Sequence, residues 1–204
     1  MKLERPGSLV LDALREVCTV GGGHAATALA QMTGRRIAME VPRVFVASLA
    51  DVPALLGGPE SPVVGILQEL HGDSDGIVLL ALSSDDARAF ARRLGATDPD
   101  DPSGDLSEMG RAALCEAANI ISGAFLTAAA RLIKLTVVPQ VPLLAEDMAG
   151  SIIDTVLCDI GSQSDFAFVM ETQFHDAGGP YRGLLLLIPS LKSLRKWVEA
   201  LEGA

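Results

Sequence analysis

The chain has 204 residues, of which 49% are hydrophobic and 21% charged, so it can bury a core and is not intrinsically disordered. Its net charge is −10, and its aromatic residues are one Trp, one Tyr and six Phe, which argues against nucleic acid as a partner. The amino terminus has no apolar stretch behind its charges, and the longest run without Asp, Glu, Lys or Arg, residues 17–34, is too polar to span a bilayer. We therefore expect a cytoplasmic protein with no membrane anchor.

The first predicted element is a long helix. Ser8 is its expected N-cap, and apolar residues recur along Leu11, Leu14, Val17 and Val20. Three strands are predicted after it, at 37–49, 63–70 and 77–82, followed by a closing helix at 84–94. The polar segment 71–76 is typical of a hairpin turn, and the acidic segment 97–104 is predicted to be a linker.

A second long helix follows the linker. Asp105 and Glu108 have the spacing of a capping box, and apolar residues continue from Leu106 at helical spacing. Strands are predicted at 152–160, 165–174 and 183–188, with a hairpin turn at 176–180 and a closing helix at 190–201. A serine is available to cap the closing helix of each half.

The two halves are related by an internal repeat at an offset of one hundred residues. Segment 14–42 aligns without gaps on segment 114–142. The matched pairs include Leu14 and Leu114, Glu16 and Glu116, Gly23 and Gly123, Thr27 and Thr127, Ala28 and Ala128, and Pro42 and Pro142. We predict a single α+β domain over residues 1–204, with halves 1–96 and 105–204 that build one antiparallel sheet of about six strands.

A polar line runs along each long helix, apart from its apolar stripe. Residues three and four apart share a helix face, which groups Asp12, Glu16, Thr19 and Gly23 in the first helix. The second helix has Ala112, Glu116, Asn119 and Gly123 in the same places. An asparagine is mildly unfavourable inside a helix, so Asn119 is either an internally bonded or solvated side chain or a functional one.

These residues carry a family resemblance. Glu116 and Asn119, followed after 22 residues by Pro142, resemble the motif of the CheC family of chemotaxis phosphatases. The same spacing recurs as Glu16, Thr19 and Pro42, with Asp12 at the family's Asp/Ser position. The run GGGHAATAL at 21–29 is similar to the glycine-rich run of the family, and the resemblance extends over essentially the whole chain.

The resemblance implies removal of phosphate from the aspartyl phosphate of a CheY-type response regulator. Asn119 would then hold the attacking water, as a glutamine amide does in GTPases, and Glu116 would pair with a cationic side chain of the regulator. Magnesium is expected on the regulator, so we expect no cofactor or metal of the protein's own. Members of the family also associate with the deamidase CheD, which is therefore a second expected partner.

Each copy departs from the family pattern at one position. Thr19 replaces the asparagine, and a hydroxyl lacks the separate donor and acceptor atoms of an amide, so the site of Glu16 and Thr19 is predicted to be impaired. Ala112 stands at the Asp/Ser position of the other copy. The main alternative is a non-enzymatic adaptor that binds a response regulator or CheD. A third interpretation is a relative of the flagellar-switch proteins, but no extra switch domain is recognisable in this sequence.

Other chemistries find little support in the sequence. The glycines at 21–23 are not followed by the Lys-Ser/Thr of a phosphate-binding loop. The cysteines and histidines are isolated and lack the spacing of metal ligands: Cys18, Cys115, Cys158, His24, His71 and His175. We expect the cysteines to be small core residues in a reducing compartment.

Overall fold

The computed structural model describes residues 8–96, 105–160, 166–176 and 179–202. The first half contains α1 (Ser8–Thr33), β1 (Ala38–Ser48), a 3-10 turn (Leu49–Asp51), α2 (Val52–Leu55), β2 (Pro62–Gly72), β3 (Gly76–Ser83) and α3 (Ser84–Arg93). The second half contains α4 (Glu108–Ile133), β4 (Val137–Pro139), β5 (Leu143–Met148), α5 (Ala149–Ile160), β6 (Phe166–Asp176), β7 (Gly179–Pro189) and α6 (Leu191–Glu202). The predicted linker at 97–104 lies outside the described residues.

The strands form one antiparallel sheet, which confirms the predicted fold class. Its order is β1-β6-β7-β3-β2, and β4 and β5 both pair with the outer side of β2. The halves meet in the middle of the sheet, where β3 pairs with β7 along the register Leu80 to Leu185. β4 and β5 together occupy one edge position, so the seven strands fill six places and β1 forms the opposite edge.

The sheet is buried on both faces. Residues of β2 that point to one face, such as Val64, Ile66 and Leu70, join a core with the two long helices, α3 and α6. Residues that point to the other face, such as Val63, pack with α5 and the segment around α2. Covering on both faces explains why β3 and β7 are almost continuously apolar instead of alternating.

Helices α1 and α4 are each 26 residues long and pack against one another. Gly21 lies at their contact, because a Cβ atom there would be only 3.0 Å from the Cα atom of Phe125. The glycines at 21–23 therefore lie within a helix, and one of them serves close helix packing. By length and composition α4 could cross a membrane, but 44% of its most apolar window is buried inside the protein.

One predicted strand is wrong. Residues 152–160 belong to α5, a helix that buries Ile152, Ile153 and Val156 at helical spacing. The second-half strand that corresponds to β1 lies earlier, as β4 and β5 at 137–139 and 143–148. The apolar residues of α5 resemble a short buried strand, because periodicity alone separates the two poorly in a run of this length. The other strands and both closing helices lie close to their predicted places.

The helix caps differ in part from the prediction. Ser107, and not Asp105, caps α4, since its side chain accepts a hydrogen bond from the backbone N–H of Gly110 at 3.1 Å. Ser83 caps α3 in the same way, and the Ser190 side chain accepts from the backbone at the start of α6. The capping role of Ser8 stays a prediction, because the residues before it lie outside the described part of the chain.

Candidate functional site

Glu116 and Asn119 lie one turn apart on the solvent side of α4. Both are exposed, whereas Leu114, Ala117 and Ala118 between and beside them are buried in the core. The helix therefore turns its apolar stripe inward and leaves the polar line accessible. Within the described residues Glu116 makes no hydrogen bond or ion pair, so its carboxylate is available to a partner.

Open space continues along the polar line. Ala112 is exposed, and a Cβ atom added at Gly123 would meet no other atom within 4 Å. No bulky side chain on this line shields the Asn119 amide from an approaching molecule. Asn119 as a whole residue is exposed to solvent.

Asn119 is joined to the sheet by a buried glutamine. Gln68 on β2 is only 1% exposed, and its Nε2 donates to Asn119 Oδ1 at 3.2 Å and to the backbone oxygen of Gln140 at 3.0 Å. The Gln140 carbonyl can only accept, so the Gln68 atom facing it must be the NH2 group. The second hydrogen of that group faces Asn119, which fixes Oδ1 as the amide atom turned toward the sheet.

Pro142 lies where the edge strand is interrupted. β2 pairs with the edge strand at Leu67 with Leu143 and at Leu70 with Pro139. Two residues of β2 therefore oppose three residues of the edge, which is a β-bulge. Proline has no N–H for the ladder and is accommodated at such a bulge. The bulge turns the Gln140 carbonyl toward the Gln68 side chain, which connects the proline of the motif to its asparagine.

The first copy has the same framework with different side chains. Glu16 and Thr19 are exposed on α1, and the register of β1 on β6 shifts between Glu40 and Arg43, where Pro42 lies. A surface groove beside Thr19 is lined in part by Arg15, Val41 and Pro42. The structure thus brings the helix residues and the proline of each motif to the same end of each half.

Thr19 is not held by the sheet. Its hydroxyl donates to the backbone oxygen of Arg15 in the preceding turn, at 3.0 Å. The residue of β6 that corresponds to Gln68 is Thr172, whose hydroxyl donates instead to the Gly183 carbonyl at 2.9 Å. Asp12 forms an ion pair with Arg15 at 2.6 Å on the exposed surface.

Gln68 was not among the residues proposed from the sequence. The only sequence signal for it is a polar residue in the strand VVGILQEL, at a position where alternation requires a core residue. Its partners are 51 and 72 residues away in the chain. A search for motifs of short spacing does not detect such a group.

The cysteines differ in environment, which corrects one expectation. Cys18 is buried and Cys115 half-buried, but Cys158 is exposed on α5 and is not a core residue. Burial raises the pKa of the Cys18 thiol to about 12. Burial also raises the pKa of Cys115, and the positive charge of Arg111 partly offsets that effect. Among the described residues, no group of three His, Cys, Asp or Glu side chains is arranged to hold a metal ion.

Known proteins resemble this chain along almost its full length. Residues 9–46 match the CheC-like family, and residues 64–154 match the family described as chemotaxis phosphatase CheX. The CheY-P phosphatase CheC of Bacillus subtilis is 34% identical over 195 residues, which cover 94% of this chain and 93% of that protein. The putative CheY-P phosphatase CheC1 of Halobacterium salinarum is 22% identical over 94% of this chain and 95% of its own.

Among solved structures, the crystal structure of Thermotoga maritima FliY superposes with a TM-score of 0.76 at 19% identity, covering 98% of this chain and 99% of that one. At this identity the likeness concerns the fold, and it agrees with the single antiparallel sheet and the two long helices. The family is shown by the 34% identity to the Bacillus subtilis protein over nearly the whole length of both chains: the chain belongs to the CheC family.

Proposed function

We propose that this protein hydrolyses the aspartyl phosphate of a phosphorylated CheY-type response regulator. The observation that carries the proposal is the Asn119 side-chain amide, exposed on α4 and hydrogen-bonded to the sheet through Gln68, one turn from the exposed Glu116. The name of the Bacillus subtilis relative, CheY-P phosphatase, supports the same substrate. Because that substrate is cytoplasmic, we propose the cytoplasm as the site of action.

The proposed reaction requires no covalent bond between the phosphatase and its substrate. In the proposed step the oxygen of a water molecule attacks phosphorus, and the bond between phosphorus and the aspartyl oxygen breaks. The aspartate leaves as a carboxylate, and the water protons pass to the phosphate and to solvent. An acyl phosphate is already activated, and the magnesium ion belongs to the regulator, so the phosphatase mainly places the water in line.

A neutral amide suits this task better than a carboxylate. It can accept a hydrogen bond from the water and donate one to a phosphoryl oxygen, without repelling the negative charge of the phosphate. If positioning is worth about a hundredfold in rate, loss of the Asn119 amide raises the barrier by roughly 2.7 kcal/mol.

Docking is assigned to Glu116 and to the neighbouring edge of the sheet. The Glu116 carboxylate is available to a cationic side chain of the regulator, which would fix α4 against the phosphorylation site. Val138, Val141 and Leu143 are 50%, 80% and 66% exposed on the edge segment around Gln140. Apolar side chains of this kind give a partner surface to bury beside the amide.

The first copy is proposed to be the weaker site. Glu16 is exposed and can dock as Glu116 does, but the Thr19 hydroxyl donates to its own helix and offers no amide to the water. The second proposed partner is CheD, which follows from the family resemblance.

The proposal is tested by release of phosphate from phosphorylated regulators, with magnesium present, with and without this protein. Asn119→Ala should slow the stimulated decay by about a hundredfold, whereas the matched variant Thr19→Ala should change it less than twofold. Equal losses in the two variants contradict the assignment of the sites. Affinity for the phosphorylated regulator without faster decay would identify a binding adaptor and refute the enzymatic proposal.

A further inference from the structure

Gln68 is an unusual residue for its place in the sheet. It lies on the face of β2 that carries Val64, Ile66 and Leu70, all packed in the core beneath the long helices. A buried amide costs free energy there unless its polar atoms are hydrogen-bonded. The Gln68 NH2 group meets this requirement with two acceptors, Asn119 Oδ1 and the Gln140 carbonyl.

We infer that Gln68 is a positioning residue for Asn119: it holds the asparagine amide in the one orientation in which that amide can order the hydrolytic water. The inference rests on the proposed phosphatase function and adds to it a residue outside the Glu-x-x-Asn motif. It also gives Pro142 a role, because the bulge at the proline supplies the Gln140 carbonyl that orients Gln68.

The chemical effect follows from which atoms are occupied. Gln68 uses one lone pair of Asn119 Oδ1, so the second lone pair can accept from water while Nδ2 is left to donate toward a phosphoryl oxygen. Without Gln68 the exposed side chain can rotate and turn its amide over, since no other side chain among the described residues holds Oδ1. A fixed amide orders the water before the regulator arrives, so the entropy cost of ordering the water does not add to the reaction barrier.

The first half gives an internal comparison. There the helix position has Thr19 in place of Asn119, and the sheet position has Thr172 in place of Gln68. Both hydroxyls donate to nearby backbone carbonyls and not to one another. The amide is thus absent from the helix and from the sheet in the same copy, as expected if the two residues act as a unit.

The test compares Gln68→Met with Thr172→Val in the full-length protein. Methionine keeps the unbranched length of glutamine and loses its donors, and valine replaces the hydroxyl with a methyl group at the corresponding place in the first half. Thermal unfolding of both variants checks that they fold. We expect Gln68→Met to lower kcat for phosphoregulator hydrolysis about tenfold, with KM within about twofold of the original, and Thr172→Val to leave both constants unchanged.

Two further measurements separate positioning from a general structural role. In an Asn119→Ala background, Gln68→Met should cause no additional loss, because the residue it positions is gone. In NMR spectra, the side-chain NH2 signals of Asn119 should shift and exchange faster with solvent in Gln68→Met, and should be unchanged in Thr172→Val.

The outcomes distinguish failure of the positioning role of Gln68 from failure of the proposed phosphatase function. Unchanged kcat in Gln68→Met, or an additional loss in the Asn119→Ala background, overturns the positioning role while Asn119 stays the proposed catalytic residue. Unaltered Asn119 amide signals in Gln68→Met overturn it as well. A wild-type protein that does not accelerate decay of any phosphoregulator overturns the proposed function and this inference with it.

Discussion

Two glycines of α1, two positions apart, are expected to respond in opposite ways to the same substitution. A Cβ atom at Gly21 would lie 3.0 Å from the Cα atom of Phe125 and 3.2 Å from two atoms of its ring. A Cβ atom at Gly23 would meet nothing within 4 Å. Gly21→Ala therefore introduces a methyl group into the contact of α1 with α4, and Gly23→Ala places one in solvent.

The expected magnitudes follow from helix propensity and packing. Replacing glycine by alanine inside a helix stabilises it by about 0.5–1 kcal/mol, and Gly23→Ala should show this gain in full. Gly21→Ala has the same gain, but the clashing atom includes backbone, so the two helices must move apart. Overpacking of this kind costs about 1–3 kcal/mol. The free energies of unfolding of the two variants should therefore differ by about 1–3 kcal/mol, with Gly21→Ala the less stable.

Urea unfolding followed by circular dichroism measures this difference directly, provided that the slope of the transition is the same in both variants. If Gly21→Ala is stabilised as much as Gly23→Ala, the close approach of the two long helices is not as described, and the relative placement of the two sites has to be reconsidered.

Four other predictions concern the cysteines, the α4 cap and the first copy of the site. Iodoacetamide at pH 8 should label the exposed Cys158 fastest and the buried Cys18 slowest, since only the thiolate reacts. Because burial raises the pKa of Cys18 from 9.0 to about 12, the neutral thiol contributes fully to the free energy of unfolding below pH 9, and this contribution is lost as the pH rises toward 12. Urea unfolding at a series of pH values measures this loss. Ser107→Ala should lower the free energy of unfolding by about 1 kcal/mol through loss of the α4 cap, and full stability in that variant would contradict the cap. Thr19→Asn in an Asn119→Ala background should raise phosphate release above that of Asn119→Ala alone but not to the wild-type rate, because no buried amide holds the new side chain; full recovery would count against the role of that contact.

The amino-acid sequence was sufficient to indicate the family and to predict most of the helices and strands. The repeat at an offset of one hundred residues relates the two halves, and the spacing of Glu116, Asn119 and Pro142 indicated the CheC family that the identity to the Bacillus subtilis protein establishes. Helical spacing was enough to separate the exposed polar line of α4 from its buried stripe, because both signals repeat within one or two turns of the same helix.

The sequence misled where a short pattern has two readings. The same repeat aligns β1 with residues 138–148, where β4 and β5 lie, but the strand was predicted at 152–160 because that run is apolar. Whether such a run forms a strand or a helix depends on what it packs against, and these residues cover the outer face of the sheet as α5. The exposure of Cys158 depends on the same packing.

The contact between Gln68 and Asn119 was decided by the tertiary structure alone. It joins residues 51 apart on a strand and a helix, and it needs the bulge at Pro142 to turn the Gln140 carbonyl inward. A sequence shows which side chains can donate and accept, but the distance between atoms on different elements is set only when sheet register and helix packing bring them together.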